Sequence, residues 1–425
     1  MSQSDPRPPR VAVVAEFYPS RRDPVLGIWA HRQALAARDA GAEVRVLVLH
    51  RLVPPRASLR DGPRAGARAL ASRLREPRSQ ERDGLAVSYV PFLSPARDRS
   101  YPSWGTWAAP ALALALRRLA RTFPFDLVHA HNAVPAGDAT RRAGVARPII
   151  ISIHGADVLY TAVRSTAGAR AVARSLGAAR LALANSEGIA ELARAHGAGE
   201  TRVVHLGTDL PLAQRPARHD ARSGPEGRPR AGPIGASATQ ALVTVGHLVA
   251  RKRHADVLRA LAVLEPRHPA LRYVIIGEGP ERPALEALAA RLGVAARVDF
   301  LGQLAPAQAL ERARRCTLFV MPSTEEAFGV AYIEAMAAGV PAIGCRGEPG
   351  PEEIAAAGDG FVLVPPGDIE RLTQRIDELL SDPRRLRELG QRARASVAAS
   401  FTWERCGEQT LAAYRHVLRS PHASF

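Results

Sequence analysis

Strand-like and helix-like segments alternate along almost the whole chain of 425 residues, and this alternation constrains the fold more than any other feature. Short apolar runs predict strands, and amphipathic stretches such as IWAHRQALAARDAG and SEGIAELARAHG predict helices between them. The predicted strands are VAVVAEF, EVRVLVL, LAVSYVPF, DLVHAH, PIIISIH, LALANS, RVVHLG, ALVTVG, RYVIIGEG, RVDFLG, CTLFVMPS, PAIGC and GFVLVPPG. This order is typical of α/β proteins with doubly wound, mostly parallel sheets.

One stretch interrupts the alternation. Residues 211–239 are rich in Pro, Gly, Arg and Ala and have no periodic apolar face, which is typical of a linker. A chain of this length is large enough for two or three domains. We therefore expect a first Rossmann-like domain over 1–210, a second over 240–400, and a final amphipathic helix over 401–425.

Composition excludes several classes of protein. Cys316, Cys345 and Cys406 are odd in number and lack paired spacing, so neither a disulfide framework nor a zinc site is indicated, and a reducing cytoplasm is expected. No signal-peptide core is visible, and apolar runs such as AAPALALAL are too short to span a bilayer. A net charge of +17 attracts anions, but the chain has no zinc-finger, RRM or basic-zipper pattern and only 5% aromatic residues. Nucleic acid is therefore not the expected partner.

Residues 318–344, LFVMPSTEEAFGVAYIEAMAAGVPAIG, predict a buried strand, a loop and a helix. Gly329 lets the backbone approach a ligand, and the N–H groups and positive dipole end of the following helix form a seat for phosphate. Glu326 precedes this seat and Glu334 follows it, and a carboxylate can accept two hydroxyls side by side. The arrangement suits a sugar nucleotide; the alternative is a strand, loop and helix with two solvated glutamates.

Lys252 is the single lysine among 58 Lys and Arg residues, and it follows a predicted strand and a turn that contains Gly246. A lysine presents a compact charge on a flexible stem, which can sit on one phosphate oxygen where the planar fork of an arginine does not fit. The alternative is that codon bias left one lysine by accident.

These motifs resemble family 4 of the retaining glycosyltransferases, which are two-domain GT-B enzymes. The matching residues in the Glu-x7-Glu signature are Glu326, Phe328, Gly329, Glu334, Ala335, Met336, Gly339 and Pro341, while Ala327 replaces the usual glycine. IISIHGADV and VIIGEGPERPALEALAARLGVAARVDFLGQL extend the resemblance over nearly the whole chain. It implies two Rossmann-like domains facing each other across a cleft, the first on the acceptor side and the second binding the nucleotide sugar. It also implies a C-terminal helix that crosses back to the first domain.

The resemblance also implies roles for individual residues. Glu326 would hold the donor sugar, Glu334 the ribose, and His154 the face of the sugar ring. Lys252 and a second cation would neutralise the leaving diphosphate. His247 stands where the family usually has arginine, so Arg251 or a protonated His247 remains open as that second cation. The other donor-site residues implied are Gly27, Gly246, Gly279, Phe328, Gly329 and Val330.

The acceptor side is less defined in the sequence. His131 ends a predicted strand and either faces the acceptor or is structural, and Asp157 either positions a sugar hydroxyl or caps a helix near Val158. No Asp-x-Asp pair is present, so a metal ion is expected to be dispensable. The arginine-rich residues 51–82 are predicted either to rest on anionic lipid headgroups or to form a solvated loop.

Together with these features, the resemblance implies a retaining, metal-independent glycosyltransferase without a cofactor. It would move a sugar from a nucleotide-diphosphate sugar to an acceptor hydroxyl, lipid-linked or not, in the synthesis of a polysaccharide, glycolipid or other glycoconjugate. A front-face mechanism without an enzyme nucleophile is the usual interpretation for the family. Two alternatives remain open: a non-catalytic scaffold that binds a sugar nucleotide, and another GT-B activity such as an epimerase or a phosphorylase.

Overall fold

The computed structural model of the protein describes residues 7–20, 23–53, 62–75, 77–210 and 240–419. The strands in these ranges are β1 (Arg10–Ala15), β2 (Glu43–Arg51), β3 (Ser79–Arg82), β4 (Leu85–Phe92), β5 (Leu127–His131), β6 (Ile149–Ile153), β7 (Leu181–Ala184), β8 (Thr201–Val203), β9 (Ala241–Val245), β10 (Arg272–Ile276), β11 (Val298–Phe300), β12 (Leu318–Val320), β13 (Ala342–Cys345) and β14 (Phe361–Val364). Every strand that the sequence predicted is present, and the linker 211–239 lies outside the described residues.

The strands form two sheets. The first has the order β3-β4-β2-β1-β5-β6-β7-β8, and all its pairings are parallel except that between β3 and β4. The second, β11-β10-β9-β12-β13-β14, is parallel throughout and has the dinucleotide-binding order 3-2-1-4-5-6 when counted from β9. Strand order reverses between β1 and β5 and between β9 and β12. Ligands bind beyond the carboxyl ends of the strands at such reversals.

Helices cover both faces of each sheet. In the described residues they are Ile28–Asp39, Pro63–Leu74, Arg97–Ser100, Trp104–Thr122, Asp138–Arg142, Ala162–Arg164, Thr166–Gly177, Glu187–Ala195, His254–Leu264, Arg282–Arg291, Pro306–Ala313, Val330–Ala337, Pro349–Ala356, Ile369–Ser381, Pro383–Ser400 and Trp403–Arg419. Strands covered on both faces read as continuous apolar runs, as β6 does. Within it, Ile151 packs with Leu112 on one side of the sheet, and Ile150 packs with Leu127 on the other.

The last helix, Trp403–Arg419, returns to the first sheet and packs on Ile28–Asp39. The two helices approach so closely that a Cβ atom at Gly407 would lie 2.2 Å from the carbonyl oxygen of Ala36. The hydroxyl of Tyr414 lies 2.8 Å from Nδ1 of His129, whose Nε2 lies 2.8 Å from Oγ of Ser152. The crossing helix is therefore held by backbone contact and by a buried polar chain.

The described part of the arginine-rich segment contains regular secondary structure, which the alternative of a solvated loop did not include. Within 51–82 the structure contains the helix Pro63–Leu74 and strand β3, while residues 54–61 and 76 lie outside the described part. Strand β3 has the sequence SQER, which lacks alternating apolar residues, so pattern analysis missed it. Strand β3 lies at the edge of the sheet, where its backbone pairs with β4, and such pairing needs no apolar side chains. No helix in the described part of the chain is long and apolar enough to cross a membrane.

Candidate functional site

The centre of the candidate site is an ion pair at the point where strand order reverses in the second sheet. Nζ of Lys252 lies 2.5 Å from Oε2 of Glu326. Lys252 belongs to the short turn Ala250–Lys252 after β9, and Glu326 to the loop after the neighbouring strand β12. The residues are only 9% and 8% exposed. A buried charge needs a partner, so each side chain offsets part of the cost of burying the charge of the other.

Further contacts hold Glu326 in place. Ser323 Oγ donates a hydrogen bond of 2.9 Å to Oε2 of Glu326, and Nη1 of Arg251 lies 3.8 Å from the same oxygen. Burial by itself raises the pKa of Glu326, but Lys252, Arg251 and Ser323 together hold that pKa below its ordinary value. All these contacts use Oε2. Among the described residues Oε1 has no partner, and it is free to accept a ligand hydroxyl.

The loop ends at a helix N-terminus, as predicted. Gly329 has φ +90° and directly precedes the helix Val330–Ala337. A Cβ atom at Gly329 would lie 2.3 Å from a ring carbon of Tyr332, so this position requires glycine. The first N–H groups of a helix have no partner within it, which makes them available to an anion beside Lys252.

Phe328 occupies a different environment from the rest of the motif. Its side chain is 2% exposed, stacks on His205 with ring centroids 6.0 Å apart, and lies 5.7 Å from the ring of Phe401. Any contact of Phe328 with a donor would therefore come from its backbone. The aromatic side chain stabilises the loop by packing.

The turn that carries Lys252 explains one departure from the family pattern. Arg253 has φ +54°, in the left-handed region that favours glycine, and its Nε lies 2.5 Å from Oδ2 of Asp256. The ion pair holds an arginine where the family usually has glycine. His247 is exposed and Nδ1 lies 3.3 Å from the carbonyl oxygen of Glu278. Arg251, the other open candidate for the second cation, is the one that lies beside Glu326.

Glu334 lies partly buried on the helix Val330–Ala337, within its second turn. Burial, and to a lesser degree the carboxylate of Asp209, raises the pKa of Glu334 to about 7. In the described part of the chain its carboxylate accepts no hydrogen bond. An unpaired carboxyl group of this kind is suited to a polar ligand.

Besides Gly329, three donor-site glycines were named from the sequence, and they differ in their surroundings. A Cβ atom at Gly27 would lie 2.1 Å from the carbonyl carbon of Phe17, and one at Gly279 would lie 2.4 Å from the carbonyl oxygen of Leu248. Both glycines are therefore required by contacts of the chain with itself. A Cβ atom at Gly246 would lie 3.6 Å from Cε of Lys252, so Gly246 is the one next to the ion pair.

His154 follows β6 in the first domain. His154 and Gly155, called the His154 segment below, lie beside the loop that carries Glu326. A Cβ atom at Gly155 would lie 2.3 Å from Cβ of Ala327, and Ser186 Oγ donates a hydrogen bond of 3.0 Å to the carbonyl oxygen of Ala327. Nε2 of His154 lies 3.0 Å from Nδ1 of His131. Burial lowers the pKa of His154 to about 3, so its imidazole is neutral. Its Nδ1 is buried without a partner among the described residues.

The two residues predicted on the acceptor side are both buried. His131 pairs with His154, and burial, with the neighbouring histidines, lowers the pKa of His131 well below its ordinary value. Asp157 accepts hydrogen bonds of 2.9 and 3.1 Å from the backbone N–H groups of Ala133 and Val134. Burial raises the pKa of Asp157 to about 7, against the effect of these two N–H groups. Asp157 thus stabilises a neighbouring turn and does not cap a helix near Val158, while its contact with a sugar hydroxyl stays a prediction.

A pocket that the sequence did not predict lies beside the His154 segment. Five arginines line it, Arg97, Arg142, Arg164, Arg170 and Arg174. They come from three separate stretches of the chain. The sequence by itself shows only that the last three lie close together, within residues 164–174. Over the described ranges, no group of three or more His, Cys, Asp or Glu side chains is placed to hold a metal ion.

Each half of the chain matches a known protein family. The family described as Glycosyltransferase Family 4 matches residues 26–211, and the family described as Glycosyl transferases group 1 matches residues 236–396. A D-inositol 3-phosphate glycosyltransferase of Nocardia farcinica is 29% identical over 99% of this chain and 92% of its own length. An exopolysaccharide phosphotransferase of Streptomyces coelicolor is 38% identical over 40% of this chain, but the match spans only 18% of that relative.

A solved structure agrees with the fold. Sucrose-phosphate synthase from Thermosynechococcus elongatus superposes with a TM-score of 0.72 at 21% identity, covering 96% of this chain and 99% of that one. The two sheets with reversed strand order, the crossing C-terminal helix, the Glu-x7-Glu loop beside Lys252 and the two family matches lead to one conclusion. The chain belongs to the glycosyl transferases of group 1, family 4, with the GT-B fold.

Proposed function

We propose that this protein transfers a sugar from a nucleoside diphosphate sugar to an acceptor hydroxyl, with retention of the anomeric configuration. The observation that carries the proposal is the ion pair of Lys252 and Glu326 beside the helix that begins after Gly329. The His154 segment of the first domain contacts the same loop, through Gly155 and Ala327. Cations, a carboxylate and free N–H groups at a cleft between two domains match the parts of a sugar nucleotide.

The leaving diphosphate is assigned to the cationic end of this site. When the glycosidic bond breaks, its electron pair stays on the diphosphate oxygen, and negative charge grows there. Lys252, Arg251 and the N–H groups at Gly329 and Val330 are placed to stabilise that charge without reorganising. The ion pair with Glu326 holds Lys252 in position before the donor arrives.

The sugar and the ribose are assigned to the two glutamates. Oε1 of Glu326 forms no hydrogen bond or ion pair with described residues and would accept a hydrogen bond from a sugar hydroxyl, while Oε2 remains paired with Lys252. Glu334 would accept the ribose hydroxyls. Gly246 leaves space beside Lys252, and Gly27, Gly279 and Phe328 would contribute through their backbone.

His154 is assigned to the sugar ring. Its pKa of about 3 keeps the imidazole neutral at physiological pH. A neutral ring does not repel the positive charge that develops on the anomeric carbon, whereas an imidazolium would. Contact between the His154 segment and the Glu326 loop also excludes water, which limits hydrolysis of the donor.

We further propose a glycoconjugate or polysaccharide precursor as the acceptor, with peripheral contact at an anionic membrane. The helix Pro63–Leu74 supports the membrane contact, because Leu70 and Leu74 are 37% and 62% exposed and Arg64 and Arg68 are exposed as well. Apolar side chains beside cations are typical of a helix that lies at a lipid surface.

A screen with a panel of nucleotide sugars tests the proposal. We expect one uridine, guanosine or adenosine diphosphate sugar to raise the melting temperature of the purified protein and to be turned over with an acceptor. NMR of the product then gives the anomeric configuration. Donor binding without turnover would indicate a scaffold, and turnover that consumes phosphate would indicate a phosphorylase. Failure of every nucleotide sugar to bind would contradict the proposed function.

A further inference from the structure

The arginine-lined pocket of the first domain has no role in the donor site described above. Ala156 and Tyr160, which follow His154 in the chain, line the pocket together with Phe17, which lies beyond the end of β1. The pocket therefore opens at the carboxyl end of the first sheet, beside the segment that contacts the Glu326 loop. No Asp or Glu side chain lines it in the described part of the chain.

Two of its arginines form ion pairs with carboxylates that do not line the pocket. Nη1 of Arg97 lies 3.4 Å from Oε1 of the largely buried Glu16, and Nε of Arg142 lies 2.7 Å from Oδ2 of the buried Asp138. These carboxylates fix the two guanidinium groups and leave other N–H groups of each fork available. An arginine held in this way is preorganised for an anion, because less side-chain entropy is lost on binding.

The other three arginines have no counter-charge among the residues that the structure describes. Within the described ranges, Arg164, Arg170 and Arg174 form no ion pair with any Asp or Glu. Guanidinium groups that share one pocket repel each other, and an anion bound among them removes that repulsion. The pocket therefore has an excess of positive charge, which a bound anion would neutralise.

Aromatic rings keep part of this cluster in place. The guanidinium of Arg164 lies 5.5 Å from the ring centroid of Tyr160, and that of Arg97 lies 4.2 Å from the ring centroid of Tyr101. Such contacts orient a guanidinium while leaving its N–H groups free for other partners. Guanidinium forks match the oxygens of a phosphate in pairs. Hydroxyls of Ser103 and Thr161 also line the pocket and are suited to polyol groups.

We propose that this pocket binds an acceptor that carries a phosphate ester, with the phosphate among Arg164, Arg170 and Arg174. The assignment rests on the proposed glycosyltransferase function, because it treats the neighbouring cleft as the donor site. The phosphate would anchor the acceptor at the arginine end, and its hydroxyls would lie toward Tyr160 and His154. Both a soluble phosphorylated polyol and a phospholipid headgroup have this chemistry.

The test compares two triple variants of the full-length protein. Arg164→Gln, Arg170→Gln and Arg174→Gln together remove the unpaired charges of the pocket. Arg117→Gln, Arg118→Gln and Arg121→Gln make the same change in net charge on the exposed side of the helix Trp104–Thr122, outside the pocket.

Calorimetry with glycerol 3-phosphate, and with glycerol as the uncharged probe, measures recognition of a soluble phosphate ester. Sedimentation with phosphatidylglycerol vesicles, and with phosphatidylcholine vesicles as the neutral probe, measures recognition of a lipid headgroup. In one of these two assays, we expect the wild type and the variant with Arg117, Arg118 and Arg121 replaced to bind the charged probe more tightly than the neutral one. The pocket variant should bind that charged probe at least about tenfold more weakly, which corresponds to about 1.4 kcal/mol.

Equal binding of the charged probes by the two variants would overturn the proposal, as would a wild type that binds neither charged probe. Melting shifts of the wild type with nucleotide sugars separate this result from the proposed function. Donor binding with no phosphate recognition would remove the pocket assignment alone. Phosphate recognition with no donor binding would overturn the transferase and, with it, the description of the pocket as an acceptor site.

Discussion

Replacing Lys252 with methionine gives the most informative test of the site, because it removes one partner of a buried ion pair. Glu326 is 8% exposed and would lose its closest cation, at 2.5 Å. Breaking such a pair costs about 3–5 kcal/mol. The variant can limit this cost by protonating Glu326. Protonating a carboxylate of ordinary pKa 4.5 at pH 7 costs about 3 kcal/mol, because each pH unit above the pKa adds about 1.36 kcal/mol. We therefore expect a loss of about 3 kcal/mol in the free energy of unfolding at pH 7.

The loss should depend on pH with a defined sign. In the wild type the pKa of Glu326 is lowered, so the pair contributes stability above pH 4.5 and loses it as pH falls through the lower, folded value. In Lys252→Met, burial without the cation should raise that pKa above 4.5, so the carboxylate destabilises the fold most at high pH. Chemical denaturation at several pH values should show the gap between variant and wild type shrinking as pH falls toward 4.5.

Two further variants separate stability from catalysis. Lys252→Met with Glu326→Gln should recover most of the stability, since no unpaired charge stays buried, but kcat should remain about 100- to 1000-fold low. Lys252→Arg keeps the charge and should restore only part of the rate. A double variant as unstable as the single one would refute the ion-pair argument. Full activity of Lys252→Arg would show that the shape of the lysine does not matter.

The remaining predictions concern other parts of the molecule. Glu334→Ala should weaken donor binding by up to about 3 kcal/mol in calorimetry, and unchanged affinity would remove Glu334 from the site. Because the pKa of Glu334 is raised to about 7, Glu334→Gln should raise the melting temperature at pH 8 and lose that advantage by pH 5. Tyr414→Phe should cost about 1–3 kcal/mol in denaturation by leaving Nδ1 of His129 unpaired, with donor affinity unchanged. Turnover should persist in excess EDTA, and a rate restored only by added magnesium or manganese would contradict a metal-free site.

The prediction of two parallel α/β sheets is confirmed because the signals for it are local. A strand covered on both faces needs consecutive apolar residues, as in β6, and such a run stays visible whatever surrounds it. The same holds for Gly329, which the turn before a helix requires through its positive φ. Strand β3 was missed because its pairing is made by the backbone and leaves no pattern in SQER.

The surroundings of single side chains could not be predicted in the same way. Phe328 matches the family motif, but its ring lies in the core against His205. Asp157 does not cap the helix predicted near Val158, and it accepts hydrogen bonds from the N–H groups of Ala133 and Val134. Each of these contacts joins residues more than twenty positions apart, and periodicity carries no information at that range.

The sequence by itself determined the order of strands and helices, the glycine at the start of the motif helix, and the identity of the one lysine. Whether that lysine meets Glu326, 74 residues later, was decided by tertiary structure, because β9 and β12 are neighbours where the strand order reverses. Tertiary structure also gathered arginines from three stretches of the first domain into one pocket. The reason is physical: local pattern records which face of an element is buried, whereas long-range contacts depend on which elements become neighbours in the folded chain.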